Sequence, residues 1–213
     1  MPNLTQYRFD QYKKLNPNEL TPLEFVQLEK ELNSTRGAFT SDQLLDFLLW
    51  SNGHQSRQEL FANYLIKYLP KNPNAKILEV GCGRTARLSR ILAKKGFTMT
   101  CIDPKVDSSY LDGIVSIKGK FNCRKFDLSE YDFVIAQEPC DATEHIVRAC
   151  TKQGKPFIIS LCGVPHKSIS GKMPRRVDAW YNYLWKIAKD ETQLITVSLD
   201  PFSKTSIIRS NQF

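Results

Sequence analysis

The first 72 residues carry hydrophobic positions at helical spacing. Residues 21–24 read as a helix N-terminus with Pro at the first helical position, and apolar residues follow it at intervals of three and four. The same spacing recurs at 44–49 and at 58–69, where a proline closes the segment. We therefore predict a helical N-terminal extension or lid over residues 1–72.

From residue 75 the pattern changes to short apolar runs that alternate with amphipathic segments. The predicted strands are 76–80, 98–103, 113–121, 132–136, 156–162, 194–199 and 206–209. The predicted helices between them are 84–95, 141–151 and 177–189. This alternation predicts a parallel sheet covered on both faces. The last two strands are joined by so short a connection that they can form only an antiparallel pair. The predicted fold class is therefore α/β, with residues 75–213 forming a three-layer sandwich around a mostly parallel seven-stranded sheet whose last strand is antiparallel.

Positive charge is concentrated in this second part of the chain. The whole chain has a net charge of +8, with −1 on residues 1–70 and +9 on residues 71–213. A basic domain suits an anionic partner such as RNA. Lys172, Arg175 and Arg176 lie in a stretch rich in Ser and Gly, and we expect them either to contact phosphates or to be solvated.

Other patterns exclude a membrane span and a metal site. No apolar run approaches about 18 residues. His54, His145 and His166 have no ligand spacing with cysteines or carboxylates, so we predict no metal and expect His145 to be a surface side chain. The six cysteines include no CxxC pair and the first residues contain no apolar secretion signal. We therefore expect reduced thiols in a cytoplasmic protein.

The most informative segment spans residues 77–88, where a strand, a glycine-rich turn and a helix follow one another. Gly81 and Gly83 let the backbone pass close to a ligand where a Cβ would clash. Asp103 ends the next strand and can accept hydrogen bonds from two ribose hydroxyls. With Ala86, the two glycines also fit the fingerprint of dinucleotide-binding proteins, so the spacing alone leaves two cofactors open.

The sequence Glu-Val-Gly-Cys-Gly at 79–83, followed by Ile-Asp at 102–103, resembles motifs I and II of class I S-adenosylmethionine-dependent methyltransferases, which have a Rossmann-like fold. The resemblance covers about residues 75–213 and implies S-adenosylmethionine as the cofactor. It implies that Gly81, Cys82 and Gly83 line the methionine part, that Glu79 lies near its cationic end and that Asp103 holds the ribose.

The same resemblance implies contacts to the adenine and to the methyl group. Phe121 and Asn122, near the end of the third strand, would flank the adenine. Family members often have an acidic residue there, so Asp127 is an alternative to Asn122. Gln137, just past the fourth strand, would border the methyl group.

Two cysteines are candidate catalytic residues. RNA 5-methylcytosine methyltransferases carry Asp-Ala-Pro-Cys after the fourth strand and a second cysteine after the fifth, and Cys140 and Cys162 occupy similar places. That resemblance implies a thiolate of Cys162 that adds to a pyrimidine ring and a Cys140 that assists release, with a basic surround that lowers the thiol pKa. The motif's Asp is replaced here by Gln137 or Glu138. If the thiols are structural, Gln137, Glu138 or His166 is left to position the acceptor.

Three functions follow as hypotheses. The first is an S-adenosylmethionine-dependent methyltransferase that acts on RNA or another anionic acceptor. The second is a small-molecule methyltransferase with residues 1–72 as a lid over its pocket. The third is a methyltransferase-like binding module without catalytic activity.

Overall fold

The protein is represented by a computed structural model, which describes residues 55–72, 74–162, 169, 171, 176–188, 192–199 and 205–211. The chain divides into two compact units, Met1–Leu60 and Phe61–Phe213. Predicted helices before residue 55 lie outside the described residues, and the extension over 1–72 stays a prediction.

The described helices and strands alternate along the chain as the sequence indicates. In chain order they are α1 Arg57–Leu65, β1 Lys76–Val80, α2 Arg87–Lys94, β2 Thr98–Asp103, β3 Val115–Lys118, β4 Phe133–Gln137, α3 Thr143–Gln153, β5 Phe157–Ser160, α4 Val177–Ile187, β6 Thr192–Val197 and β7 Thr205–Ser210. A short 3-10 turn, Cys140–Ala142, leads into α3.

The seven strands form one sheet in the order β3-β2-β1-β4-β5-β7-β6. The pairs from β3 to β5 are parallel, and β7 is antiparallel to both of its neighbours. From β1 the strands are added outwards to β2 and β3 on one side and to β4 and β5 on the other. The carboxyl ends of β1 and β4 therefore border a crevice, which is where open α/β sheets bind ligands. The predicted fold class is confirmed, including the antiparallel last strand.

Most element boundaries differ from the prediction by a few residues, and three of the differences concern the segments around the glycine turn, β3 and Cys162. Helix α2 begins at Arg87 rather than at 84, because Ala86 adopts a left-handed backbone with φ of 41°. Strand β3 is shorter than predicted, and Gly113 before it has φ of 68°. Strand β5 ends at Ser160, which leaves Cys162 in the segment that follows the sheet.

Helices cover both faces of the sheet. On one face, Phe61 of α1 and Leu92 of α2 are fully buried against apolar residues of the strands. On the other face, Ile146 of α3 and Trp180 of α4 belong to a second buried cluster. This packing fixes the sheet, and with it the loops that leave the strands at their carboxyl ends. In the described part of the chain, no helix has the length and apolarity needed to cross a membrane.

Candidate functional site

A cavity of about 600 Å³ opens at the carboxyl ends of the central strands. Its volume lies within the range of small-molecule sites. The loops after β1, β2, β3 and β4 and the first turn of α3 contribute its walls. The lining residues are Val80, Gly81, Gly83, Ile102, Asp103, Pro104, Lys105, Gly119, Lys120, Phe121, Glu138, Pro139, Cys140, Asp141, Ala142, His145 and Ile169.

The glycine turn after β1 forms the floor of this cavity. Gly81 and Gly83 have φ values of 76° and 69°, in the left-handed region that glycine occupies without steric cost. A Cβ on Gly81 would lie 3.0 Å from the Cβ of Pro139, whereas a Cβ on Gly83 would meet no protein atom within 4 Å. At Gly81 a side chain is disfavoured both by the backbone conformation and by the close packing against Pro139. At Gly83 only the backbone conformation disfavours a side chain, and the space beside the residue is open to the cavity.

Asp103 is fixed at the end of β2 by two backbone donors. The Gly83 N–H donates to Oδ2 at 3.0 Å, and the Lys105 N–H donates to Oδ1 at 2.7 Å. Each carboxylate oxygen has further lone pairs that remain able to accept hydrogen bonds. The Asp103 side chain therefore has a fixed orientation in the cavity wall, and its bond to Gly83 connects the turn after β1 to the end of β2.

The loop after β4 carries two strained residues beside the glycine turn. Glu138 and Cys140 are not glycines and yet have φ values of 51° and 47°. Such a conformation costs on the order of 1–3 kcal/mol per residue and is concentrated at functional sites. The Glu138 N–H donates to the Ser160 carbonyl at 2.9 Å, and the Thr143 hydroxyl donates to the Cys140 carbonyl at 2.8 Å. These bonds hold the loop in the position that brings both strained residues to the cavity.

Glu79 does not line the cavity, although the family resemblance placed it there. Its carboxylate is 2% exposed and accepts hydrogen bonds from both the backbone N–H and the hydroxyl of Ser89 on α2. Burial raises the pKa of Glu79 from 4.5 to about 7, against the lowering effect of the Ser89 bonds. Glu79 therefore anchors α2 to β1.

Cys82 is not among the residues that line the cavity either, and it packs against a small buried cluster that includes Cys101. Its thiol interacts with the Cys101 thiol, and this contact, together with burial, raises the Cys82 pKa. A neutral thiol there is a small packing group between β1 and β2.

Of the residues expected near the adenine and the methyl group, only Phe121 lines the cavity. The Asn122 side chain accepts a hydrogen bond from the Arg124 N–H at 3.0 Å and so caps its own turn. Asp127 does the same with Ser129. Gln137 ends β4 in register with Ser160 of β5, outside the described cavity lining.

The two candidate catalytic cysteines lie together, but their chemistry differs from the expectation. Cys140 is exposed and lines the cavity, and its thiol is within hydrogen-bonding reach of the half-buried Cys162 thiol. That contact and burial raise the pKa of Cys162. The direction is opposite to the predicted lowering of the thiol pKa, because the neighbouring Cys140 thiol and burial both disfavour the thiolate of Cys162.

His145 is a cavity residue that sequence reasoning treated as a surface side chain. Its Nδ1 accepts a hydrogen bond from the Cys123 N–H at 3.3 Å, so the neutral ring carries its proton on Nε2. Burial lowers the His145 pKa; the Glu144 carboxylate opposes this effect, and Arg124 and Arg148 add to the lowering. A neutral donor in the cavity wall results. The sequence feature that could have predicted this position is that His145 lies in the first turn of the helix that follows β4, at the edge of the sheet where ligands bind.

Of the remaining residues predicted to contact the acceptor, three lie outside the described residues: His166, Lys172 and Arg175. Arg176 is exposed and forms an ion pair with Asp178, with 2.8 Å between Nη2 and Oδ2. Within the described ranges, no group of three histidine, cysteine or acidic side chains is arranged to hold a metal ion.

Comparison with known proteins identifies the fold. No protein-family model and no curated protein matches the chain. Among solved structures, the chain is similar to magnesium protoporphyrin IX methyltransferase from Synechocystis PCC 6803 with bound S-adenosylmethionine, with a TM-score of 0.51 and 15% identity over 82% of this chain and 85% of that one. The fold is that of class I S-adenosylmethionine-dependent methyltransferases.

Two further structures support the same assignment of the fold. An S-adenosylmethionine-dependent methyltransferase from Leishmania major has a TM-score of 0.51 and 14% identity, with 76% of each chain covered. A putative sarcosine dimethylglycine methyltransferase from Galdieria sulphuraria has a TM-score of 0.50 and 15% identity, with 75% of this chain and 86% of that one covered.

Proposed function

We propose that this protein is an S-adenosylmethionine-dependent methyltransferase whose acceptor is RNA or another anionic molecule. The observation that carries the proposal is the cavity above the glycine turn, with Asp103 fixed in its wall, on a methyltransferase fold. Fold similarity alone does not establish an activity. The proposal therefore depends on whether the cavity suits this cofactor.

The residues present fit S-adenosylmethionine. The wall at Gly83 is open enough that a Cβ there would occupy space left for a ligand. The Asp103 carboxylate, held by two backbone donors, retains lone pairs for the two hydroxyls of a ribose. Phe121 and Ile102 provide apolar surface of the kind an adenine ring contacts. These residues would bind the nucleoside and leave the methionine part over the glycine turn.

The charge of the cavity favours this cofactor over a dinucleotide. Its lining includes the carboxylates of Asp103, Glu138 and Asp141 and the amines of Lys105 and Lys120. A sulfonium compound gains from surplus negative charge, whereas a pyrophosphate is repelled by it. The sheet order also differs from the 3-2-1-4-5-6 order of dinucleotide-binding folds.

Bound S-adenosylmethionine would supply a methyl group on a positively charged sulfur; an acceptor atom would bond to the methyl carbon in line as the carbon–sulfur bond breaks, and S-adenosylhomocysteine would leave. The protein's contribution to such a transfer is mainly positioning. The strained loop at Glu138 and Cys140 borders the glycine turn and is where the acceptor would lie. The raised pKa of Cys162 argues against a thiolate nucleophile and in favour of an oxygen or nitrogen acceptor.

The first experiment is calorimetric titration with S-adenosylmethionine, S-adenosylhomocysteine and NAD. We expect heat with the first two and none with NAD. Asp103→Ala removes charge-assisted hydrogen bonds worth about 1.5–3 kcal/mol each and should weaken binding at least tenfold. Asp112→Ala removes the same charge from an exposed position outside the cavity lining and should bind as the wild type does.

The second experiment identifies the acceptor class. Wild-type protein and Asp103→Ala are incubated with radiolabelled S-adenosylmethionine and either total RNA or a metabolite extract. Label in RNA that depends on Asp103 supports the proposed acceptor, and label only in small molecules supports the second hypothesis. Cofactor binding without any transfer supports a non-catalytic module, and binding of NAD alone would refute the proposal.

A further inference from the structure

A second concavity of about 540 Å³ lies beside the cofactor cavity, on the outer side of α3. Arg148, Thr151 and Lys152 line it from α3, and Arg124 lines it from the loop after β3. Among the described residues that line this groove, none is acidic. The groove therefore contrasts with the cofactor cavity, whose walls include three carboxylates.

Arg148 is held in place before any ligand arrives. Its Nε donates to Glu144 at 2.9 Å, and its Nη2 donates to the Tyr183 hydroxyl at 2.9 Å. Tyr183 in turn donates to the buried Glu144 carboxylate at 2.6 Å. These contacts engage two of the three guanidinium nitrogens, and Nη1 remains for a ligand. A side chain fixed in this way loses little entropy when it binds an anion.

The groove and the cofactor cavity adjoin one another. Ile169 lines both, and its N–H donates to Glu144 at 2.8 Å, so the same carboxylate holds Ile169 and Arg148. Cys123 lines the groove and lies 3.3 Å from the imidazole Nδ1 of His145, which lines the cavity. The groove and the cavity are therefore neighbours that share part of one wall.

We propose that this groove binds a phosphate group of the methyl acceptor through Arg124, Arg148 and Lys152. Three cations around one concavity match a group that carries up to two negative charges and several acceptor oxygens. Thr151 adds a neutral hydroxyl donor. The inference rests on the proposed function, because it makes the groove part of the acceptor site. The phosphate can belong to an RNA strand or to a small phosphorylated molecule.

The test compares two double variants that each remove two exposed cations. Arg124→Ala/Lys152→Ala changes the groove without touching the Glu144 contacts of Arg148. Lys94→Ala/Lys95→Ala changes exposed lysines at the end of α2, which packs on the opposite face of the sheet. Binding of a fluorescently labelled twelve-nucleotide single-stranded RNA is measured by anisotropy between 25 and 300 mM salt, with inorganic phosphate and a mixture of nucleoside monophosphates as competitors.

We expect the groove variant to bind at least tenfold more weakly at low salt. The slope of log affinity against log salt should become shallower by about 0.7, since the groove is proposed to hold one phosphate and each phosphate contact to a single strand contributes about that much. The control variant should keep the wild-type slope. If nucleoside monophosphates and inorganic phosphate both displace the labelled RNA, the source is a small phosphorylated molecule, and if neither competitor displaces it, the source is a polymer. Both results support the site.

The inference would be overturned if the wild type and the groove variant bound RNA equally and responded equally to the phosphate competitors. It would also be overturned if the two double variants lost the same amount of RNA affinity. Affinity for S-adenosylmethionine is measured on the same samples, and we expect it to be unchanged in the groove variant. Absence of that binding in the wild type would refute the proposed function, while the RNA and phosphate titrations report on the groove separately.

Discussion

Glu79 shows how one residue can match a motif and have a different role from the one expected. Its place two residues before Gly81 indicated a cofactor contact, whereas its carboxylate is buried against Ser89 of α2. Burial is the largest cause of its raised pKa, and Asp103 adds to it through charge repulsion. In the folded protein the group is therefore partly protonated near neutral pH.

The first prediction concerns this titration. The folded-state pKa of about 7 lies above the ordinary value of 4.5, so the stabilising contribution is fully present below pH 4.5 and is lost as pH rises towards 7. The wild type should lose about 3 kcal/mol more unfolding free energy between pH 5 and pH 8 than Glu79→Gln does. Urea unfolding of both proteins at the two pH values measures the difference. Parallel losses would mean that Glu79 titrates normally.

The second prediction compares the two glycines of the turn. Both require a left-handed backbone, so Gly83→Ala should lose about 1–2 kcal/mol of stability. Gly81→Ala should lose about 1–3 kcal/mol more, since its Cβ would lie 3.0 Å from Pro139. Cofactor affinity should fall in both. Urea unfolding and calorimetry measure the two effects, and equal stability losses would contradict the close packing at Pro139.

Residues in the site differ in how much the sequence says about them. The glycines and Asp103 follow directly from strand ends, because a turn that needs positive φ and an acidic residue after an apolar run are local features. His145 depends on which face of α3 meets the cavity, and Asn122 depends on whether its side chain caps its own turn. The positions of these two side chains depend on the folded arrangement of the elements, which cannot be read from a single sequence.

At the scale of elements, the strand directions were predictable and the element ends were not. Alternating apolar runs determine that β1 to β5 are parallel, and a short connection determines that β6 and β7 are antiparallel. The ends depend on single backbone conformations, such as the left-handed Ala86 that delays α2. The 3-10 turn Cys140–Ala142 delays α3 in the same way and brings Cys140 to the cavity.

The third prediction concerns the element contacts made by Glu144. This residue is 2% exposed and joins α3 to Tyr183 of α4 and to the Ile169 N–H, while the Arg148 side chain is 38% exposed. Glu144→Ala should cost about 1–3 kcal/mol of unfolding free energy, since partly solvated partners lose their acceptor. It should also weaken cofactor binding, because Ile169 lines the cavity.

Two variants act as controls for Glu144. Glu144→Gln keeps acceptor oxygen at the same place and should recover most of the cofactor affinity. Tyr183→Phe removes one hydroxyl and leaves the Ile169 contact in place, so it should lose stability without losing affinity. If Glu144→Ala and Tyr183→Phe change the unfolding free energy and the cofactor affinity equally, the Glu144 carboxylate does not hold Ile169 in place.

At the scale of the whole molecule, charge differs between the two concavities. The second part of the chain has a net charge of +9, and yet the cofactor cavity contains more carboxylates than amines. The neighbouring groove is lined by three cations, Arg124, Arg148 and Lys152. Net charge alone predicted an anionic partner. Only the folded chain separates a carboxylate-rich cavity from a cationic groove, and the two features together suit a positively charged methyl donor beside an anionic acceptor.

The last prediction tests the lid hypothesis for the N-terminal region. Every described residue that lines the cavity lies between Val80 and Ile169, so a variant that lacks residues 1–54 should unfold cooperatively and bind S-adenosylmethionine within about threefold of the wild type. A variant that lacks residues 1–69 also loses the buried Phe61 and Leu65, which pack in the cluster against the sheet. Each such side chain contributes about 1.5–3 kcal/mol, so this second variant should not fold stably.

Urea unfolding measures the stability of each variant, and calorimetry measures its affinity for S-adenosylmethionine. A large loss of cofactor affinity in the first variant, with its unfolding unchanged, would support the lid, because the missing residues would then act on the cavity without being needed for the fold.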